Sequence, residues 1–237
     1  MGLDRRVALL TIIVACLRVA PAGAQEAAKS SFEGWGDAVN PDRDCRFRPE
    51  SGARTLTITV PAKAHLLSAE GRHPKLNAPR ILRAVKGDFA AQVTVLGEVR
   101  PGPGATSPYA PYHGAGLLIW RDAKNYIRLE RAAFIKDGAF SPYVNFEQRK
   151  DGRLASSEGG PSADAPLVLR LERLGGEITG SYHTPGGPTK SLPPLAAAYP
   201  EALRVGILAV NAADNPLDAV FQDFAVELKE KPAAKSP

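Results

Sequence analysis

The chain has 237 residues, 44% of them hydrophobic, with 22 Gly and 21 Pro. This length suits one large all-β domain, and the many turn-forming residues argue against a helix-rich fold. The formal charge of +5 is concentrated at the two ends, since residues 1–24 carry +2 and residues 229–237 carry another +2. The body between them is almost neutral, so the sequence indicates no nucleic-acid partner.

The first residues have the pattern of a secretory signal peptide. Arg5 and Arg6 precede an apolar run from Val7 to Leu17, and small residues lead up to Ala24, after which cleavage is expected. The run is shorter than the roughly 20 residues that cross a bilayer, so no transmembrane segment is predicted. The residues around Cys16 also loosely resemble a bacterial lipobox. The protein is therefore expected to be secreted or periplasmic, or alternatively lipid-anchored through Cys16.

Cysteine and histidine usage predicts neither a disulfide nor a metal site. Cleavage after Ala24 leaves Cys45 as the single cysteine, which we interpret as a small buried hydrophobe. The four histidines have no zinc-binding spacing and are expected mostly on the surface or in loops: His65, His73, His113 and His183.

Alternation of apolar and polar residues recurs along the body of the chain. About a dozen such segments, separated by Gly, Pro, Asn and Asp, predict one β-sandwich over residues 32–228. Residues 25–31 are expected to be a disordered lead-in, and residues 229–237 a flexible charged tail. The clearest element is a β-hairpin at residues 114–131, and Gly175-Gly176 is expected to turn a second one.

Two irregular stretches interrupt this pattern. Residues 101–112 (PGPGATSPYAPY) form a long Pro/Gly/Tyr loop, and such loops in compact domains are often functional. In the other stretch, residues 195–203 (LAAAYPEAL) are expected to form a helical turn.

Several segments together resemble a family of uncharacterised secreted concanavalin A-like domains related to the regulation-of-enolase protein. They are GWGDAVNPDRDCRF (34–47), TLTITVPAKAHLL (55–67), NAPRILRAVKGDF (77–89), GAGLLIWRDAKNYIRLERA (114–132), VGILAVN (205–211) and FQDFAVEL (221–228). The hairpin also resembles the C-terminal sandwich of some xylosidases. The resemblance implies a jelly-roll of two antiparallel sheets with a concave face, where relatives commonly bind glycans.

Strand parity separates a core face from an outward face. Ile127 and Leu129 point one way, whereas the residues between and beside them point the other way. The predicted outward face carries Tyr126, Arg128, Glu130, Tyr143, Asn145 and Glu147. If the strands at 167–174 and 177–183 adjoin, their polar residues extend that face.

This outward face has the chemistry of a glycan-binding surface. Arg, Asn and carboxylates bond sugar hydroxyls, and aromatic rings cover the apolar faces of sugars. Trp120 is a candidate stacking platform, and His113 lies at the end of the Pro/Gly/Tyr loop. The alternative is that the charged residues form cross-strand ion pairs on a solvated sheet and that Trp120 belongs to the core.

The sequence gives less support to catalysis or metal binding than to glycan binding. The Glu-x-Asp-x-x-Glu ladder of some concanavalin-like glycanases is absent, so no catalytic residue is assigned; a hydrolase would have to use Glu130 and Glu147. No cofactor is predicted. The alternative is a calcium site formed by a group of oxygen ligands that are also ordinary turn formers: Asn211, Asp214, Asn215 and Asp218.

The sequence thus predicts a non-catalytic, carbohydrate-binding module that binds a glycan or polysaccharide. Two alternatives stay open at this point. One is a glycoside hydrolase of unrecognised type, and the other is a domain that binds another extracellular protein.

Overall fold

The computed structural model describes residues 30–229 apart from 51, 53 and 71–74. The predicted signal peptide with Cys16, His73 and nearly all of the charged tail lie outside these residues. Strands run from Ser31 to Leu228, so the first strand includes the last residue of the predicted lead-in. Within the described residues no helix has the length and hydropathy to cross a membrane.

The described chain is built from strands of very unequal length. They are β1 (Ser31–Phe32), β2 (Gly36–Val39), β3 (Arg46–Pro49), β4 (Thr55–Val60), β5 (Leu67–Ser68), β6 (Lys75–Leu76), β7 (Arg80–Lys86), β8 (Phe89–Leu96), β9 (Tyr112–Asp122), β10 (Asn125–Lys136), β11 (Ala139–Lys150), β12 (Arg153–Pro161), β13 (Leu167–Leu174), β14 (Glu177–His183), β15 (Lys190–Ser191), β16 (Leu195–Ala196), β17 (Ala202–Asn211) and β18 (Leu217–Leu228).

Two large antiparallel sheets contain nearly all of these strands. The first sheet has the order β1-β2-β7-β17-β9-β10-β11-β12, and the second has the order β15-β14-β13-β8-β18-β4-β3, with β16 beside β14. The short β5–β6 ribbon stands apart from both. The protein is therefore an all-β, concanavalin A-like jelly-roll sandwich, and the predicted fold class is confirmed.

The two predicted hairpins are present. In the first, β9 and β10 pair with Ile127 opposite Ile119, so both side chains point to the same face. In the second, β13 and β14 meet at Gly175-Gly176, where Gly175 has a φ of 59°. Glycine adopts this left-handed conformation without the clash that a side chain would introduce.

The core lies between the two sheets. From the central hairpin it takes Leu117, Ile119, Ile127 and Leu129, all of which are fully buried. Each such aliphatic side chain contributes about 1.5–3 kcal/mol when it is removed from water. The alternating sequence thus forms a half-buried strand because one parity of its side chains fills this space.

Two expectations were wrong. Residues 195–203 form no helical turn, because Leu195–Ala196 pairs with β14 as a strand and β17 begins at Ala202. The strands β13 and β14 belong to the second sheet. Their polar residues therefore do not extend the face that carries Arg128, since pairing with β8 places them on the other side of the sandwich.

Candidate functional site

The outer face of the first sheet is divided into an apolar half and a polar half. On the apolar half, the segment around β5 covers the sheet, and Leu67 packs with Leu118 and Tyr126 in a second buried cluster. The Tyr126 hydroxyl donates a hydrogen bond of 2.6 Å to the Leu67 carbonyl. This cover buries a face that strand alternation alone would leave in solvent.

Arg128 is the centre of the polar half. Its guanidinium donates to both carboxylate oxygens of Glu147, at 3.2 Å from Nε and 2.9 Å from Nη2. Its Nε also lies 3.3 Å from Oε2 of Glu130. All three side chains are buried, so each charge depends on the others for the interactions that water would otherwise supply.

Glu130 lies at the back of this network. Its Oε2 accepts hydrogen bonds from Asn145 at 2.9 Å and from the Tyr112 hydroxyl at 3.1 Å. Burial raises the pKa of Glu130, although Arg128 opposes that effect. Gly114 leaves room for this arrangement, because a Cβ at that position would lie 2.5 Å from the Tyr112 hydroxyl oxygen.

Glu147 lies at the front of the network. It also accepts a 2.6 Å hydrogen bond from Nε of Arg149, whose Nη1 lies 2.7 Å from Glu70. Burial by itself would raise the pKa of Glu147, but Arg128 and Arg149 more than compensate, and the pKa is lowered. The two carboxyl groups on one guanidinium therefore have pKa values shifted in opposite directions.

A cavity of about 460 Å³ lies over this polar half, within the size range of small-ligand sites. Arg128, Asn145 and Glu147 form part of its floor. The Pro/Gly/Tyr loop, the segment around β5 and strand β12 form its sides. These sides contribute Leu66, Leu67, Ser68, Glu70, Tyr109, Ala110, Tyr112, Leu154 and Ser157.

Aromatic rings line the cavity beside the polar floor. Tyr143 contacts Phe134 edge-on, with ring centroids 5.4 Å apart, and Tyr112 at 6.4 Å. Burial raises the pKa of Tyr143 to about 12, so its hydroxyl stays protonated at neutral pH. Tyr109 on the loop is largely exposed. The cavity thus combines apolar ring surfaces with fixed hydrogen-bonding groups.

The structure brings four of the predicted binding residues to the cavity wall: Arg128, Tyr143, Asn145 and Glu147. Glu130 bonds to Asn145 but does not line the cavity. The cross-strand ion pairs considered as the alternative are also present, since Arg128 stands directly opposite Glu147. The same residues therefore stabilise one another and face the cavity.

Trp120 and Tyr126 occupy the predicted face but not the cavity. Their rings stack on each other with centroids 5.6 Å apart, and the Arg80 guanidinium lies 4.6 Å from the Trp120 ring centroid. Tyr126 is completely buried. Trp120 therefore does not lie in the core between the sheets. Its ring is also not free to stack on a ligand, because Tyr126 and Arg80 already pack against it.

His113, predicted as a binding residue at the end of the Pro/Gly/Tyr loop, does not line the cavity. It shares parity with Ala115 and Leu117 and points between the sheets. Burial lowers its pKa to about 4, and polar groups of Asn211 and Asn215 offset only part of this effect. It is a buried histidine inside β9 rather than a residue of the loop.

The oxygen-bearing group proposed for calcium is used within the fold. The Asn211 amide donates to the carbonyls of Pro61 and Asn215, and Asp218 accepts a 2.6 Å hydrogen bond from Thr59. Asn215 caps the backbone N–H of Gly102. These bonds fix the loop before β18, which is the role of ordinary turn formers.

Sequence reasoning missed part of the cavity and one cluster elsewhere. Glu70 and Arg149 extend the ion-pair network, but nothing in their local sequence separates them from surface charges. Ligand atoms of Asp44, Cys45 and His65 lie within 4.8 Å of one another. Burial, together with the charge of Asp44, raises the pKa of Cys45 to about 12, so this thiol is not an activated nucleophile.

Comparison with known proteins supports the fold. The sequence matches no protein-family model and no curated protein. A functionally unknown protein from Saccharomyces cerevisiae superposes with a TM-score of 0.63 at 13% identity, over 85% of this chain and 100% of that chain. The GH43 protein BlXynB from Bacillus licheniformis superposes with a TM-score of 0.54 at 13% identity, over 77% of this chain. This chain spans 38% of BlXynB.

Proposed function

We propose that the protein is a secreted or periplasmic, non-catalytic carbohydrate-binding module whose ligand occupies the cavity over Arg128. Residues 1–24 would be removed on export, with a lipid anchor at Cys16 as the alternative. The observation that carries the proposal is the pairing of aromatic walls with a rigid polar floor. A sugar ring offers apolar C–H faces to the aromatic rings and hydroxyls to the polar groups.

The hydrogen bonds of the floor favour a neutral ligand. Arg128 and Arg149 form ion pairs with Glu130, Glu147 and Glu70 in one connected network. A strongly charged ligand would have to displace one of these partners and leave the other uncompensated. Sugar hydroxyls can instead share the carboxylate and guanidinium groups without breaking the pairs.

The same network argues against hydrolysis. A general acid has to reach the leaving group, but Glu130, whose pKa is raised, lies behind Asn145 and Tyr112 and does not line the cavity. Glu147 lines it but is held ionised by Arg128 and Arg149. A glycoside hydrolase using this pair remains the second candidate function, because opposite pKa shifts are the pattern of an acid and its partner.

The fold neighbours are compatible with this proposal. BlXynB is a GH43 protein, and its superposable part corresponds to a sandwich like this one. Membership in the regulation-of-enolase-related family is likewise proposed, on the motifs at 34–47 and 114–132. Neither likeness identifies a ligand.

A glycan array probed with the purified chain, followed by calorimetry with any hit, tests the proposal. Tyr109→Ala removes an exposed ring at the cavity edge and should weaken binding about two- to tenfold, since an aromatic stacking contact contributes on the order of 0.5–1.5 kcal/mol. Leu174→Ala removes a side chain of similar exposure on the second sheet and should leave binding unchanged.

Other outcomes would redirect the assignment. Release of reducing sugar by the wild type that is lost in Glu147→Gln, with folding intact, would establish the hydrolase instead. No binding across a broad array, together with saturable binding to one extracellular protein, would favour the protein-interaction alternative. If Tyr109→Ala and Leu174→Ala weaken binding equally, the ligand does not bind in this cavity.

A further inference from the structure

A second group of chemistry-bearing side chains lies outside the cavity, where the β2–β3 connection meets the segment before β5. Oδ1 of Asp44 lies 3.5 Å from Sγ of Cys45 and 3.0 Å from Nε2 of His65. Oδ2 of Asp42 lies 3.9 Å from the same histidine nitrogen. Carboxylate, thiol and imidazole thus converge on one point.

The contacts of His65 are compatible with a metal ion at this point. Its Nδ1 is 3.1 Å from the Lys63 carbonyl, and its Nε2 is 3.0 Å from the Asp44 carboxylate. Both partners are hydrogen-bond acceptors, whereas a neutral imidazole carries only one N–H. When Nδ1 donates to the carbonyl, the Nε2 lone pair faces a carboxylate oxygen. A histidine that ligates a metal is oriented in this way by its other nitrogen.

The spacing of the ligand atoms fits zinc. With Zn–S near 2.3 Å and Zn–N or Zn–O near 2.1 Å, the observed separations correspond to angles of about 90° between Asp44 and His65 and about 105° between Asp44 and Cys45. Asp42 lies outside this three-residue group, with its Oδ2 3.9 Å from Nε2 of His65, and its side chain has to move inward to become a fourth ligand. One thiolate, one imidazole and two carboxylates is a mixed donor set that zinc accepts in tetrahedral geometry.

The backbone around these residues is already fixed. Asn40 donates its amide to the Cys45 carbonyl at 2.8 Å, and Asn77 donates to Oδ2 of Asp42 at 2.8 Å. The backbone of His65 pairs with Asn211 at the end of β17. His65 is completely buried and Cys45 nearly so. Asp44, Cys45 and His65 therefore need little rearrangement to bind an ion.

Lys63 holds a positive charge next to this position. Its Nζ lies 2.5 Å from Oδ2 of Asp44 and 4.0 Å from Oδ2 of Asp42. The side chain is 54% exposed and can rotate into solvent. Binding of a divalent ion would release the lysine and the thiol proton of Cys45.

From this geometry we propose that Asp44, Cys45 and His65 bind one Zn²⁺ and that Asp42 moves inward to become its fourth ligand. The ion ties the β2–β3 connection to the segment that leads into Leu66 and Leu67, which wall the cavity. Its role is structural, because all four positions are filled by protein ligands and none is left for a substrate. The proposal is independent of the cavity ligand.

Cobalt substitution tests the site with all of its proposed ligands unchanged. Metal-stripped chain in a Cys16→Ser background is titrated with Co²⁺ and then Zn²⁺. One equivalent of Co²⁺ should produce a thiolate-to-cobalt charge-transfer band and the intense visible bands of tetrahedral cobalt. Zn²⁺ should abolish both. Cobalt bound without a thiolate band would overturn the proposal.

Substitutions then assign the ligands. Cys45→Ser should abolish the charge-transfer band, and His65→Asn should abolish saturable binding, with folding verified by circular dichroism. His113→Asn, at a second buried histidine of the described residues, should leave the spectrum unchanged. Lys63→Met should tighten binding, because it removes a competing cation. Weaker binding in Lys63→Met, or an unchanged spectrum in Cys45→Ser, would contradict the assignment.

Discussion

The tetrapeptide Arg-Leu-Glu-Arg occurs twice in this chain, once in each sheet, at residues 128–131 in β10 and 170–173 in β13. In both strands the leucine is buried in the core and the final arginine is also buried. The first arginine and the glutamate differ. In β10 they are buried, whereas in β13 they are partly exposed, with Arg170 3.2 Å from Glu172.

The difference comes from what covers each sheet. The segment around β5 and the loop at 101–112 pack over the outer face of the first sheet, so Arg128 and Glu130 lie beneath them. Residues 170 and 172 keep partial contact with solvent on the second sheet. The same tetrapeptide therefore forms a buried ion-pair network in β10, where loss of one partner is strongly destabilising, and a surface ion pair in β13, which contributes little to stability.

The largest expected difference in the free energy of unfolding is between substitutions of Arg128 and of Arg170, the first arginines of the two tetrapeptides. Arg128→Met leaves Glu130 and Glu147 buried without their shared cation, and should lower the free energy of unfolding by about 3–5 kcal/mol. Arg170→Met should change it by less than about 0.5 kcal/mol. Urea unfolding of both variants measures the difference, and equal small effects would show that the cover over the first sheet does not isolate the network from water.

The leucines should behave alike. Leu129→Ala and Leu171→Ala both remove a fully buried side chain between the sheets, so each should cost about 2–5 kcal/mol. Thermal unfolding monitored by circular dichroism is suitable, with Leu174→Ala, at an exposed leucine, as the matched control. A small loss at either buried leucine would mean that its strand does not pack into the shared core.

The final arginines should also behave alike, with a smaller effect. Arg131 donates to the Gly97 carbonyl at 2.7 Å, and Arg173 donates to the Pro200 carbonyl at 2.8 Å. Substitution of either by Ala removes charge-assisted hydrogen bonds and should cost about 1.5–3 kcal/mol. Lysine at either position should recover only part of the loss, since it lacks the fork that reaches several acceptors.

The smallest expected effect depends on pH. Because the pKa of Glu130 is raised above 4.5, wild type loses stability relative to Glu130→Gln as pH rises above about 4.5. Because the pKa of Glu147 is lowered, wild type loses its advantage over Glu147→Gln as pH falls below about 4.5. Urea midpoints from pH 3 to 8 should show these opposite slopes; parallel slopes would mean that the two carboxylates share one environment.

Local sequence was sufficient for the strands and their faces. Alternation in 126–130 and 143–147 correctly separated Leu129 and Phe146, which are core residues, from Arg128 and Glu147. It works because side-chain period in a strand depends only on backbone geometry. The same pattern, with Gly175-Gly176 as a turn, predicted the sandwich.

The residues that form the cavity and the Asp44–His65 cluster could be predicted only in part. Glu70 and Arg149 join the cavity from positions 79 residues apart in the chain, and His65 meets Asp44 across 21 residues. The helical turn expected at 195–203 failed because pairing with β14 outweighed the preference of three alanines for helix. These outcomes depend on contacts that no local window contains.

The sequence by itself determined that this chain forms strands, which side chains face the core, and that Arg128 and Arg170 point outward. Only the tertiary structure decided that one of these outward arginines is buried beneath a cavity while the other stays near solvent. The physical reason is that strand geometry sets direction, whereas burial depends on the distant segment that packs on top. Burial in turn decides how strongly a charge interacts and what it can bind.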